Sequence, residues 1–109
     1  MKKFILIIRE DITQERSMDE LYEIIDLHKK WAMDLSRRGF FIDGYGIDEE
    51  GVMLSRENGT IMVDEILHPE VAFGGFYIIQ AENLEHAMEL ARECPTFDLG
   101  DKIEVRPVL

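Results

Sequence analysis

Two lysines lead into an unbroken apolar run, Phe4-Ile5-Leu6-Ile7-Ile8. A short run without alternation predicts a strand covered on both faces. It gives way to Arg9-Glu10-Asp11, so Asp11 falls at the strand's C-terminal end. Residues 18–38 hold no Gly or Pro, and Met18, Leu21, Ile25, His28, Ala32 and Leu35 recur at helical spacing. Ser17 suits the N-cap, with Asp19 and Glu20 at the positive end of the helix dipole. Arg37-Arg38 and Gly39 suit its close.

The middle of the chain is patterned more weakly. Residues 40–46 form a connection with strand character, broken by Gly44 and Gly46. Residues 51–55 and 60–63 read as strands of a hairpin turning at Asn58-Gly59. Residues 66–70, with His68-Pro69, read as a loop. Residues 71–81 are a second strong strand, in which Gly74-Gly75 signals a bulge or a close backbone approach. Asn83 caps a second helix with Leu84, Ala87, Met88, Ala91 and Cys94 on one face, stopped by Pro95. Residues 102–106 alternate, Ile103 and Val105 inward, Glu104 and Arg106 outward, as a last strand.

This order predicts one α+β domain over residues 1–109, a ferredoxin-like βαββαβ fold with an antiparallel sheet. Both helices would cover one sheet face. Phe76 and Ile78 mark one apolar face of the 71–81 strand, and Phe73, Tyr77 and Ile79 mark a second. An apolar face without a helix over it needs a partner, and a homodimer packed sheet to sheet is the simplest.

Charge narrows the function classes. With 23 acidic and 12 basic residues the net charge is −11, which repels nucleic acid and anionic membranes. The opening apolar run is too short for a signal segment or for the roughly 20 residues of a membrane span, so a cytoplasmic protein is expected. The single cysteine, Cys94, rules out an intrachain disulfide and reads as packing. His28, His68 and His86 lack metal-ligand spacing, and no phosphate-binding glycine loop or nucleophile motif is present, so no cofactor is expected.

Several blocks carry a resemblance: Gly74 to Ile79, Asn83-Leu84-Glu85-His86-Ala87, Ala91-Arg92-Glu93-Cys94-Pro95, and Ile103 to Val108. Together with His28 eleven residues before Gly39, and with Gly44, they resemble the YCII-related family, also called the DGPF-domain family, over nearly the whole chain. The resemblance implies a ferredoxin-like fold, a dimeric α-β barrel and a pocket with a histidine–aspartate pair. Where that family carries Asp-Gly-Pro-Phe, this chain reads Asp64-Glu65-Ile66-Leu67, keeping only the aspartate.

The candidate site follows. His28 shares a helix face with apolar residues, so its imidazole points inward and can exchange a proton near neutral pH. Asp11, or Asp64 from another loop, would orient it as the third member of a triad does. Trp31 would wall a substrate pocket, and Arg106 could bind a carboxylate bidentately. The expected activity is cofactor-free proton transfer on a small cyclic or aromatic molecule, of isomerase or lyase type. The alternative is a non-catalytic dimer that binds a small molecule or serves another protein.

Overall fold

The computed structural model describes residues 1–11, 13–66 and 71–109, so the expected loop around His68-Pro69 lies outside the described residues. The elements run β1 (Lys2–Asp11), α1 (Met18–Arg37), β2 (Phe41–Gly46), β3 (Val52–Glu57), β4 (Thr60–Glu65), β5 (Val71–Ala81), α2 (Leu84–Ala91), a 3-10 turn (Phe97–Leu99) and β6 (Lys102–Pro107). The fold is α+β with antiparallel sheets.

Local chemistry sets the helix ends. Ser17 and Glu20 form a reciprocal capping box at the start of α1. At its end Gly39 takes φ 83°, and the Phe40 and Gly39 amides donate to the Leu35 and Ser36 carbonyls, which closes a Schellman motif. Asn83 caps α2 by accepting from the His86 amide. The His86 ring answers by accepting from the Glu82 amide and meets Phe40 edge-on, so His86 is half-buried where a solvated face was expected. α2 ends at Ala91, four residues before Pro95, and Cys94 packs from the turn that follows.

Four strands make the main sheet in the order β2-β5-β1-β6, with every pairing antiparallel. The segment 40–46, expected as a connection with strand character, supplies its edge strand β2. Phe4, Leu6 and Ile8 lie opposite Ile79, Tyr77 and Gly75, and these positions face the helices. They form one core with Trp31, Leu35, Ala87, Leu90 and Cys94, so α1 and α2 share a side of the sheet. Burial of each large aliphatic side chain there contributes about 1.5–3 kcal/mol.

The helices cover one of the two apolar faces of β5. Tyr77 and Ile79 are buried under the helices, whereas Phe76 and Ile78 pair with Ile7 and Ile5 on the far face. Gly74 is an extra residue opposite the Ile8–Arg9 step, and this bulge carries Phe73 to the far face too. There Arg9 lies over the Phe73 ring and pairs with Glu104 at 3.2 Å.

β3 and β4 form a separate two-stranded sheet. Its turn places Asn58 and Gly59 both at positive φ, as a tight hairpin requires. Val52, Leu54, Ile61 and Val63 share one face of the hairpin and are each half or more exposed. The chain is flat and elongated, 48 × 38 × 18 Å. Among the described residues, no helix is long and apolar enough to cross a membrane.

Candidate functional site

Glycines decide where the main cleft lies. Gly44 and Gly46 of β2 pair with Tyr77 and Gly75 of β5 on the face that carries the helices. Three side chains are therefore missing beneath the middle of α1, with the Gly74 bulge beside them. The helix cannot close onto bare backbone, and Leu21 and Ile25 stay exposed rather than buried as their spacing suggested. A cavity of about 360 Å³ remains, lined by apolar side chains such as Ile8, Ile24 and Phe41 with the polar groups of Glu10, His28, Lys29 and Tyr77. Tighter spacing of the strands also depends on these glycines: a Cβ at Gly75 would come 2.8 Å from the Tyr45 carbonyl oxygen.

A second cavity of about 230 Å³ adjoins the first, and Glu10 and Ile24 line both. Its wall is polar, with Asp11, Gln14, Arg16, Glu49, Thr96 and Asp101.

His28 stands between the two cavities. Its Nδ1 lies 2.6 Å from the Tyr77 hydroxyl and its Nε2 3.1 Å from the Thr96 hydroxyl. Thr96 in turn lies 3.4 Å from the Cys94 sulfur. Desolvation lowers the His28 pKa, opposed by the negative charge of Asp101, so the neutral imidazole is favoured. Desolvation raises the Tyr77 hydroxyl and the Cys94 thiol. All four groups therefore rest uncharged, linked by hydrogen bonds within a mostly apolar setting. The His28 and Tyr77 rings stack at 5.9 Å, and Trp31 meets Tyr77 edge-on at 4.8 Å.

The expected site residues separate. His28 lines the cleft. Asp11 lies at the neighbouring cavity, but its carboxylate accepts from the Thr13 backbone amide and hydroxyl and from the Gln14 side-chain Nε2, bonds that hold its pKa low. It makes no hydrogen bond to His28. Asp64 sits on β4 opposite Met53 in the separate hairpin, and is exposed. Trp31 is buried in the core against Tyr77, and its indole Nε1 has no partner among the described residues. Arg106 lies on the far face, exposed, with Nε 3.7 Å from Glu104. The cleft thus gathers His28, with Asp11 close by across Glu10, while Asp64 and Arg106 sit elsewhere in the chain. Among the described residues, no group of three or more His, Cys, Asp or Glu side chains is arranged to hold a metal ion.

The sequence model described as the YCII-related domain matches residues 3–109. The chain belongs to the YCII-related family. It has no match among curated proteins.

Four polar residues of this YCII-related domain were not expected at the site: Glu10, Tyr77, Thr96 and Asp101. Strand alternation could have found Glu10, since Phe4, Leu6 and Ile8 face the helices and residue 10 continues their row. Asp101 immediately precedes β6, which runs antiparallel to β1 with Lys102 opposite Arg9, so it comes beside the end of β1. Tyr77 shares its row with Ile79 and was read only as an apolar position. Thr96 follows Pro95 in a turn, and no local signal marks it.

Proposed function

We propose that this YCII-related domain binds a small organic molecule in the glycine-floored cleft beneath α1 and transfers a proton on it through Tyr77 and His28. The observation that carries this reading is the 2.6 Å contact between the Tyr77 hydroxyl and His28 Nδ1 in the wall of a 360 Å³ cavity. A small-molecule site is typically a mostly apolar concavity with a few convergent polar groups, and cavities of this size suit small ligands. The carboxylate partner expected for His28 enters in altered form: the charge of Asp101 reaches the imidazole, and Glu10 shares the cleft. A neutral imidazole bonded to a phenol suits general acid–base chemistry near neutral pH.

The test is a crystal soaked in a metabolite mixture, followed by turnover assays on whatever binds. Density beside Tyr77, with turnover lost in Tyr77→Phe and His28→Gln, supports the reading. Density there with no chemistry in the wild type leaves binding alone as the function. Density only outside the cleft sinks both.

The ferredoxin-like reading is supported by the antiparallel order β2-β5-β1-β6 with both helices on one side, the hairpin being an insertion after β2. A homodimer of barrel type is supported by the far sheet face, where Ile5, Ile7, Phe73, Phe76 and Ile78 cluster without a helix over them. Sedimentation equilibrium giving a monomer at micromolar concentration would remove the dimer.

A further inference from the structure

We propose that Tyr77, His28, Thr96 and Cys94 form a reversible hydrogen-bond relay, polarised one way in the free protein and the other way by a ligand that presents a carbonyl-type oxygen to Tyr77. The inference rests on the cleft being a small-molecule site, and it names the kind of group recognised there.

A neutral imidazole has one donor and one acceptor nitrogen. The chain of contacts Tyr77–His28–Thr96–Cys94 can therefore run in only two directions. In the first, the Tyr77 hydroxyl donates to Nδ1, Nε2–H donates to Thr96, and the Thr96 hydroxyl donates to the Cys94 sulfur. Both hydroxyls and the imidazole N–H then have acceptors, and only the thiol, a weak donor, is left over. In the second, Cys94 donates to Thr96, Thr96 to Nε2, and Nδ1–H to the Tyr77 oxygen. The phenolic hydrogen is then left over. Tyr77 is 8% exposed, and its hydroxyl has no other hydrogen-bond partner among the described residues. The 2.6 Å Tyr77–Nδ1 contact is shorter than an N–H donor usually makes to oxygen and ordinary for a hydroxyl donor, and the 3.1 Å Nε2–Thr96 contact has the ordinary N–H···O length, so the free protein takes the first direction.

A ligand changes this balance. Tyr77 and His28 line the larger cavity, and Thr96 lines the smaller. An oxygen held beside Tyr77 fixes an acceptor for the phenolic hydrogen that the second direction frees. Passing between the two moves one proton from Nε2 to Nδ1 and rotates the hydroxyls and the thiol; no atom is gained or lost. The favoured acceptor is uncharged: the cleft is mostly apolar, its two charged lining side chains, Glu10 and Lys29, are of opposite sign, and an anion would lose its water there. Tyr77 is then the group that meets the ligand, and His28 and Thr96 are positioning residues behind it.

The tautomer of His28 reads the relay directly. Long-range ¹H–¹⁵N correlation on the full chain near neutral pH should show the Nε2–H tautomer in roughly fivefold to tenfold excess, the factor that corresponds to the net worth of one hydrogen bond. A dominant Nδ1–H form in the free protein overturns the proposal. Thr96→Val keeps the shape but removes the acceptor for Nε2–H, so the excess should collapse, and Thr96→Ser should restore it. An unchanged tautomer in Thr96→Val also overturns the relay. Cyclohexanone serves as the carbonyl probe: titration should shift His28 toward Nδ1–H in the wild type and not in Tyr77→Phe. Shifts of the Gly44 and Gly46 amides without a tautomer change would retain the cleft and overturn the relay. No response at any of these signals would overturn the carbonyl assignment. The free-protein arms require no turnover, so the relay and the enzymatic reading fail separately.

Discussion

The Glu10 carboxylate occupies the space that a side chain at Gly74 would need. Glu10 as a residue remains exposed, yet its carboxylate end loses solvent against the bulge, and that desolvation raises its pKa. Asp101 and Glu49 raise it further, and Arg16 opposes them. A raised carboxyl pKa means that folding favours the neutral form. The contribution to stability is full below the ordinary value of 4.5 and is lost as pH rises through the folded value. Glu10→Gln should therefore gain thermal stability relative to wild type as pH rises from acid to neutral. A melting-temperature difference that stays constant over that range would contradict the assignment. Gly74→Ala should fold, since the flexible end of Glu10 can swing aside, and should return the Glu10 pKa toward its ordinary value.

Gly46 offers a cleaner way to fill the cleft. A Cβ there meets no atom closer than the Gly74 carbonyl oxygen at 4.0 Å, whereas a Cβ at Gly44 would crowd the Phe76 carbonyl at 2.8 Å and the Tyr77 ring at 3.1 Å. Gly46→Val should block the cleft with stability unchanged or raised by up to about 1 kcal/mol, because a β-branched residue suits a strand and the unfolded chain loses freedom. Gly44→Val should unfold more readily by 1–3 kcal/mol, roughly the penalty of overpacking. Chemical denaturation of the two variants, side by side, separates these outcomes.

His28 makes the folded protein sensitive to mild acid. Its pKa is lowered from 6.5, chiefly by desolvation. The neutral imidazole is the form that folding selects, so stability is present above 6.5 and is lost as pH falls toward the folded value. His28→Gln should cost about 2 kcal/mol near neutral pH, since the Tyr77 and Thr96 hydroxyls cannot both keep a partner. It should also flatten the decline of melting temperature below that point. Equal slopes in wild type and variant would show that other groups set the acid response.

Trp31 is 6% exposed, and its indole N–H lacks a partner among the described residues. Removing an unsatisfied buried donor recovers part of what the smaller side chain forfeits. Trp31→Phe should cost less than about 2 kcal/mol, against the 3–5 kcal/mol usual for truncating a buried aromatic to alanine. A loss at the alanine level would mean that the indole bonds to an ordered water.

Much of this fold is legible because it is local. Ser17, Gly39, Asn83 and the Asn58-Gly59 turn each act within a few residues, and each stands where the pattern put it. The apolar strands are equally plain, but which of their faces meets the helices is not. β1 is apolar on both sides, and the Gly74 bulge changes the parity of Phe73 relative to Tyr77. The site is harder still. His28 could be found from its helical row, yet its partners lie 49 and 68 residues away in the chain. Absent side chains at Gly44, Gly46 and Gly75 make the cleft, and their effect appears only once β2 and β5 are in register.

The β3–β4 hairpin forms a sheet of its own, with Val52, Leu54, Ile61 and Val63 turned to solvent. Those side chains add little to the core beneath α1, and substitutions among them should cost the folded chain little. Arm and cleft are thus separate units of design: polar replacements on the arm should leave the cleft as it is.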